Sequence, residues 1–294
     1  MLFRSLLEKN IFARNNVEKI TGYYPSAVKI FNQSYRVTCR DNLVIDQPDS
    51  NGIWYDVGNV DGVFVNNWIE GCLDGFFFEI SKGATVAGNV FVNCDKGVRV
   101  LNSSNVRVYH NTFVNTVAAF ERTERSAVGD HFGWHPATGP GVDQREGHQF
   151  AGNLLAADER FHKALLRFEQ PPLLRERLTR PQVARLDDNV YVRRDDAGAS
   201  PLLVWSPTPA GSNNLAEFKS LDELRKLQPT FETRGQYFNL DLGSVFRSPE
   251  LRNYDLVRDL PGPAAAEPLP ADIQALLGWP KQAAPAPGAY PRRP

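Results

Sequence analysis

An asparagine returns at a fixed place in a recurring unit: VTCRDNLVID around Asn42, VFVNNWIEGC around Asn67, VAGNVFVNC around Asn89 and VYHNTFVNT around Asn111. Looser copies follow in FAGNLLA at Asn153 and LDDNVYV at Asn189, and Asn10 in KNIFARNNVEKI takes the same position earlier. The first steps are 25, 22 and 22 residues, after which they lengthen. Around each asparagine the apolar residues alternate, as in Val63, Val65 and Ile69 or Val106, Val108 and Phe113, which is the period of strands with one buried face. A unit this short cannot close a core by itself, so successive units must stack as a solenoid. Leucine-rich repeats have this length too, but their leucine framework is missing here. The fold read from the repeat is all-β, a right-handed parallel β-helix. Equivalent asparagines then bond one another along the axis and tolerate the left-handed backbone of the corners.

The coils span residues 1–200, interrupted by a long excursion from Thr123 to His148. Such insertions are usually functional. Residues 201–262 form a C-terminal helical and irregular extension, in which Ser220 caps an amphipathic helix with Glu223 three residues on. Residues 263–294 are a proline- and alanine-rich tail with a short helical piece at Ala271 to Gly278, and disorder is expected after Trp279. The first coil has no polar cap, so the chain reads as the C-terminal part of a longer solenoid or as one whose first coil is covered. It otherwise reads as a monomer.

With 42% hydrophobic and 23% charged residues the chain folds, and its net charge of -1 argues against nucleic acid as a partner. No apolar run reaches the roughly 18 residues of a membrane span, and no signal peptide is visible. The thiols Cys39, Cys72 and Cys94 fit neither a disulfide framework nor a zinc site by spacing. Cys72 and Cys94, each five residues after a ladder asparagine, stack as a reduced pair.

A second echo carries chemistry. Gly52-Ile53-Trp54-Tyr55-Asp56 is answered 23 residues later by Gly75-Phe76-Phe77-Phe78-Glu79. If Ile53 and Tyr55 point inward, Trp54 and Asp56 point outward, and Phe77 and Glu79 follow on the next coil. Stacked strands lie about 4.8 Å apart, close to the roughly 5 to 5.5 Å between the carboxyls of a retaining glycosidase. The outward column continues as Leu101 and Arg122, and its neighbour runs Trp54, Phe77, Arg99 and Glu121. Exposed aromatic faces beside carboxylates suit a sugar ring. The excursion contributes His131, Trp134, His135 and His148 as a wall or lid. Plainer roles compete: a solvated acidic column, a structural histidine hairpin, and arginines that serve only as ion-pair partners. HFGWH lacks the helical spacing of a zinc site, so neither a metal nor another cofactor is expected.

The paired GIWYD and GFFFEIS, the NNWIEG and GNVFVNC units and the GWHPATGPGVDQREGH loop resemble bacterial right-handed parallel β-helix proteins associated with carbohydrate processing, nearest in function to the β-helical β-xylosidases among glycoside hydrolases. The resemblance implies an exported protein, extracellular or periplasmic, with an Asp nucleophile and a Glu acid/base on adjacent coils. On that basis Asp56 and Glu79 are the catalytic candidates for hydrolysis of a poly- or oligosaccharide. Trp54, Phe77 and Trp134 position the sugar, and Arg99, Arg122, His131 and His135 complete the substrate contacts. Two alternatives stand beside it: a polysaccharide lyase acting on uronate polymers, and a non-catalytic carbohydrate-binding or adhesion solenoid.

Overall fold

The structure, a computed structural model, describes residues 4–124, 145–194, 200–208, 214–257, 260, 267–279 and 286–289. Three sheets run the length of a right-handed parallel β-helix, because each coil contributes one short strand to each sheet. The first sheet runs from Leu6–Glu8 through Val60–Val65, Lys82–Ala87 and Ser104–Tyr109 to Val183–Asp187. The second carries the three-residue strands that follow each asparagine, such as Trp68–Glu70, Val90–Val92 and Thr112–Val114. The third contains Ser26–Phe31, Asn51–Asp56, Asp74–Glu79, Lys96–Leu101, Val117–Glu121, Leu166–Glu169 and Leu203–Trp205, and ends on the antiparallel strand Ala216–Phe218.

The asparagine ladder is continuous. Each side-chain amide donates to the next side-chain carbonyl at 2.9 to 3.0 Å from Asn10 through Asn42, Asn67, Asn89, Asn111 and Asn153 to Asn189. Each ladder residue's backbone N–H, from Asn10 to Asn153, donates to the same acceptor. The corner's left-handed backbone, however, falls one residue earlier than expected, on Lys9, Asp41, Asn66, Gly88, His110, Gly152 and Asp188. The reason is mechanical. The preceding residue makes the bend, which frees the asparagine to keep extended backbone and point its amide inward. Asn189 finds no eighth asparagine and donates instead to Glu232 at 2.8 Å, which also accepts from the Tyr191 hydroxyl at 2.6 Å.

The alternation around Asn67 has the opposite sense from that expected. Phe64, not Val63 or Val65, faces the main core, while Val65 lies outside the sheet with Ala87 and Tyr109 beneath Ile273 and Leu277. Those last two belong to helix α1 of the tail, here Ala271–Leu277, so this part of the first sheet is covered on both faces, with Val65 buried and Val63 half-buried. Arg107 fastens this helix by a bidentate pair to Asp272. Further along the tail, residues 286–289 lie against the coils: Gly288 N–H donates to Gly152 O and Ala289 N–H to Thr112 Oγ1. The end of the core near Trp205 is closed by the helix Leu221–Leu227, whose Leu221 and Leu224 join the main cluster. Ser220 caps it as read, with Glu223 N–H donating to Ser220 Oγ, while Glu223 Oε2 accepts from the N–H of Lys219, one residue before the cap.

Candidate functional site

On the outer face of the third sheet the echo GIWYD and GFFFE becomes two paired strands. Ile53 lies against Phe76, Trp54 against Phe77 and Tyr55 against Phe78. Ile53, Tyr55, Phe76 and Phe78 enter the main core, and Trp54, Phe77 and Leu101 form a separate cluster outside it. One step beyond Tyr55 and Phe78, Asp56 and Glu79 reach equivalent places, and left-handed Val57 and Ile80 then turn the chain. The rings of Trp54 and Phe77 stack at 4.9 Å with 16° between planes. A cation closes each side of the stack: Lys29 Nζ lies 3.8 Å from the Trp54 ring centre, and the Arg99 guanidinium 4.7 Å from that of Phe77. Lys29 also pairs with Asp56 at 2.9 Å. Arg99 bridges Asp74 at 2.9 Å and Glu121 at 2.8 Å. Burial works against the Arg99 charge, but the two carboxylates outweigh it and its pKa is raised. Burial likewise raises the Asp74 carboxyl, with Arg99 and Lys96 opposing.

This strip is roofed. The loop before Ser26 lays the Tyr23 ring edge-on against Trp54 at 5.3 Å and against Phe77 at 6.2 Å, while Tyr24 stacks over Trp54 at 6.4 Å. The Tyr23 hydroxyl donates to Glu79 Oε1 at 2.6 Å. Trp54 and Phe77, expected as exposed sugar platforms, are therefore 0% exposed, and Asp56 and Glu79 are 4% and 1% exposed. Trp54 Nε1 is buried with no hydrogen-bond partner among the described residues. On its other side the loop borders a groove of about 450 Å³ lined by Asn15, Asn16, Ile20, Tyr23, Tyr24 and Ser50. Tyr24 is 72% exposed there.

Two register expectations need correction. Pairing shifts between Lys96 and Val98, so Arg99 faces Ala119 and Leu101 faces Glu121. The bulge shortens the coil and moves Glu121 into the column of Asp56 and Glu79, where Arg122 was expected. Arg122 then turns into a buried pocket, where Nε donates to Arg145 O at 2.7 Å and Nη1 to Gln170 Oε1 and Arg180 O at 2.9 Å. Its charge is costly there: burial lowers its pKa to about 10. With these bonds Arg122 is buried within the chain. His148, expected in the wall, is a core residue packed at a tilt against Phe120 whose Nδ1 accepts the Val106 N–H, and burial lowers its pKa to about 3. His131, Trp134 and His135 lie outside the described residues.

Sequence reasoning missed Lys29, Tyr23 and Tyr24 as parts of this face. The signal was there in the step from Asn10 to Asn42, which is 32 residues against the usual 22. The surplus marks a loop, and its two adjacent tyrosines mark what it covers.

Among known families, the one described as "Periplasmic copper-binding protein (NosD)" matches residues 5–153. No curated protein and no solved structure matches the chain. The match agrees with the parallel β-helix and with an extracellular or periplasmic location, and the expected likeness to β-xylosidases gains nothing from it.

Proposed function

This chain belongs to the NosD family and is a periplasmic β-helix protein, and from that premise we propose that it is a non-catalytic carbohydrate-binding solenoid. One observation carries the reading: both acids of the hydrolase hypothesis are buried beneath Tyr23 and Tyr24 and already engaged, Asp56 with Lys29 and Glu79 with the Tyr23 hydroxyl. A retaining hydrolase needs one of them facing the anomeric carbon and the other holding a proton for the leaving oxygen. The groove over the roof offers what a sugar asks of a binding surface, an exposed aromatic face at Tyr24 beside the exposed side chain of Asn15.

Titration calorimetry of the full chain against neutral and uronate oligosaccharides tests this. Tyr24→Ala should weaken binding roughly tenfold, about 1.4 kcal/mol, with little change in stability. Turnover of an aryl glycoside that disappears in both Asp56→Asn and Glu79→Gln would restore the hydrolase instead. Ultraviolet absorbance from an unsaturated uronate product would point to the lyase.

The family description supplies a second reading, copper binding. No group of three histidine, cysteine or acidic side chains among the described residues could hold a metal. His110 and His148 are built into the packing: burial lowers the pKa of His110 to about 4, and its Nδ1 lies 3.1 Å from Ala286 O. A copper site assembled from three or four ligands is therefore not found among these residues.

A further inference from the structure

The groove over the roof is shaped by its own loop. Buried Asn16 donates its amide to Ile20 O at 2.9 Å and to Pro48 O at 2.8 Å, and accepts the Ile20 N–H at 3.1 Å. At the loop's far end Pro25 O accepts the backbone and side-chain N–H groups of Asn51 at 3.0 and 3.1 Å. The space of about 450 Å³ is therefore preformed, and its size is that of a small-molecule site. Asn15 in its lining bonds Gln47 Oε1 only through the backbone N–H, at 3.2 Å, which leaves its side-chain amide for a ligand. The hydroxyls of Thr21 and Ser26 line the same space and make no hydrogen bond among the described residues. Tyr24 completes the wall: Lys29 Nζ lies 5.0 Å from its ring centre and Trp54 stacks against it, yet the ring stays open to solvent. Among the described residues none that lines the groove carries a charge. Arg14, Glu18 and Lys19 are exposed on the same loop, in both signs and outside the lining.

We propose that this groove selects neutral oligosaccharides and discriminates against uronates. The inference rests on the carbohydrate reading above and narrows its ligand class. An amide and two hydroxyls each both donate and accept, as a sugar hydroxyl does, and the Tyr24 ring offers an apolar face to the C–H side of a pyranose. A uronate has the same ring but replaces the C6 hydroxymethyl with a carboxylate, which only accepts. In the groove that carboxylate sheds water with no cation in the lining to take its place, and an unpaired charge costs more than an unpaired hydroxyl. Lys29 is not available for the task. It is paired with Asp56 at 2.9 Å, and because the Asp56 side chain is only 6% exposed, turning Lys29 outward would leave a buried carboxylate without its partner. The same pairing that holds the roof thus keeps the groove electrically neutral.

The test titrates the full chain with matched pairs of gluco-, galacto- and manno-oligosaccharides, each as the neutral chain and as the form carrying a carboxylate at C6. The neutral member of the bound pair should win by about tenfold or more, and its affinity should not change with salt. Thr21→Lys puts a cation into the lining at an exposed position. It should strengthen binding of the acid form alone, by up to about fivefold, and about 1 M salt should erase the gain. An acid form that binds the unsubstituted chain more tightly than its neutral partner, with an affinity that falls as salt rises, would overturn this selectivity while the carbohydrate reading stands. Binding of neither form in any pair would overturn both. The matched pairs need no substitution, so they decide the question even if the lysine variant does not fold.

Discussion

Two stacks run side by side along this coil, and they are held in opposite ways. At the corner between the first and second sheets, one residue type repeats, and every asparagine but the last is satisfied by the asparagine on the next coil. On the outer face of the third sheet the stacked positions differ, Lys29, Trp54, Phe77 and Arg99 in one column and Asp56, Glu79, Leu101 and Glu121 in the next. Identical amides can donate and accept in a line, so the ladder needs nothing from outside the repeat until it ends. A column of unlike charges and rings cannot close on itself. It borrows Tyr23 and Tyr24 from a loop, and its roof is an accident of one long coil rather than a property of the repeat.

The comparison breaks most sharply at the centre of the ladder. Asn89→Ala removes donors to Asn111, Phe64 O and Ala87 O and strands the amides of Asn67. With buried groups left unpaired at roughly 1 to 3 kcal/mol each, urea denaturation should show a loss on the order of 4 kcal/mol. A second, smaller effect sits at the ladder's end. Burial raises the Glu232 carboxyl from 4.5 to about 8, with the bonds from Tyr191 and Asn189 opposing. The folded state then holds a proton that the unfolded state has released between those values. Stability should fall by a few kcal/mol as pH climbs from about 4.5 to 8, and level off above. Glu232→Gln, which keeps an acceptor for Asn189 and Tyr191, should flatten that slope in thermal melts taken across the range. Smallest is Tyr23→Phe at the roof, which takes one bond from Glu79 and leaves the ring in place. About 1 to 2 kcal/mol is expected. An effect equal to that of Asn89→Ala would mean that the roof, not the ladder, organises these coils.

What could be read in advance follows the same division. The ladder, the parallel β-helix and the Ser220 cap were legible, because each depends on local period or spacing. The inward sense of Val63 and Val65 was misread, since α1 lies more than two hundred residues away in the chain and buries the outer face they occupy. Arg122 was misplaced by a single bulge at Lys96, which no spacing in the sequence announces. The outward direction of Trp54, Asp56, Phe77 and Glu79 followed from strand alternation. Their exposure did not, because alternation fixes which way a side chain points and says nothing of what lies over it.

By itself, then, the sequence determined the coil: a repeat of 22 residues with an asparagine at each turn can satisfy its buried amides in only one stacked arrangement. Tertiary structure decided which of the coil's faces meet solvent. Loops and tails of no fixed period fold back over particular sheets, and burial, charge pairing and proton affinity at Trp54, Glu79, Arg122 and Glu232 are set by those long-range contacts.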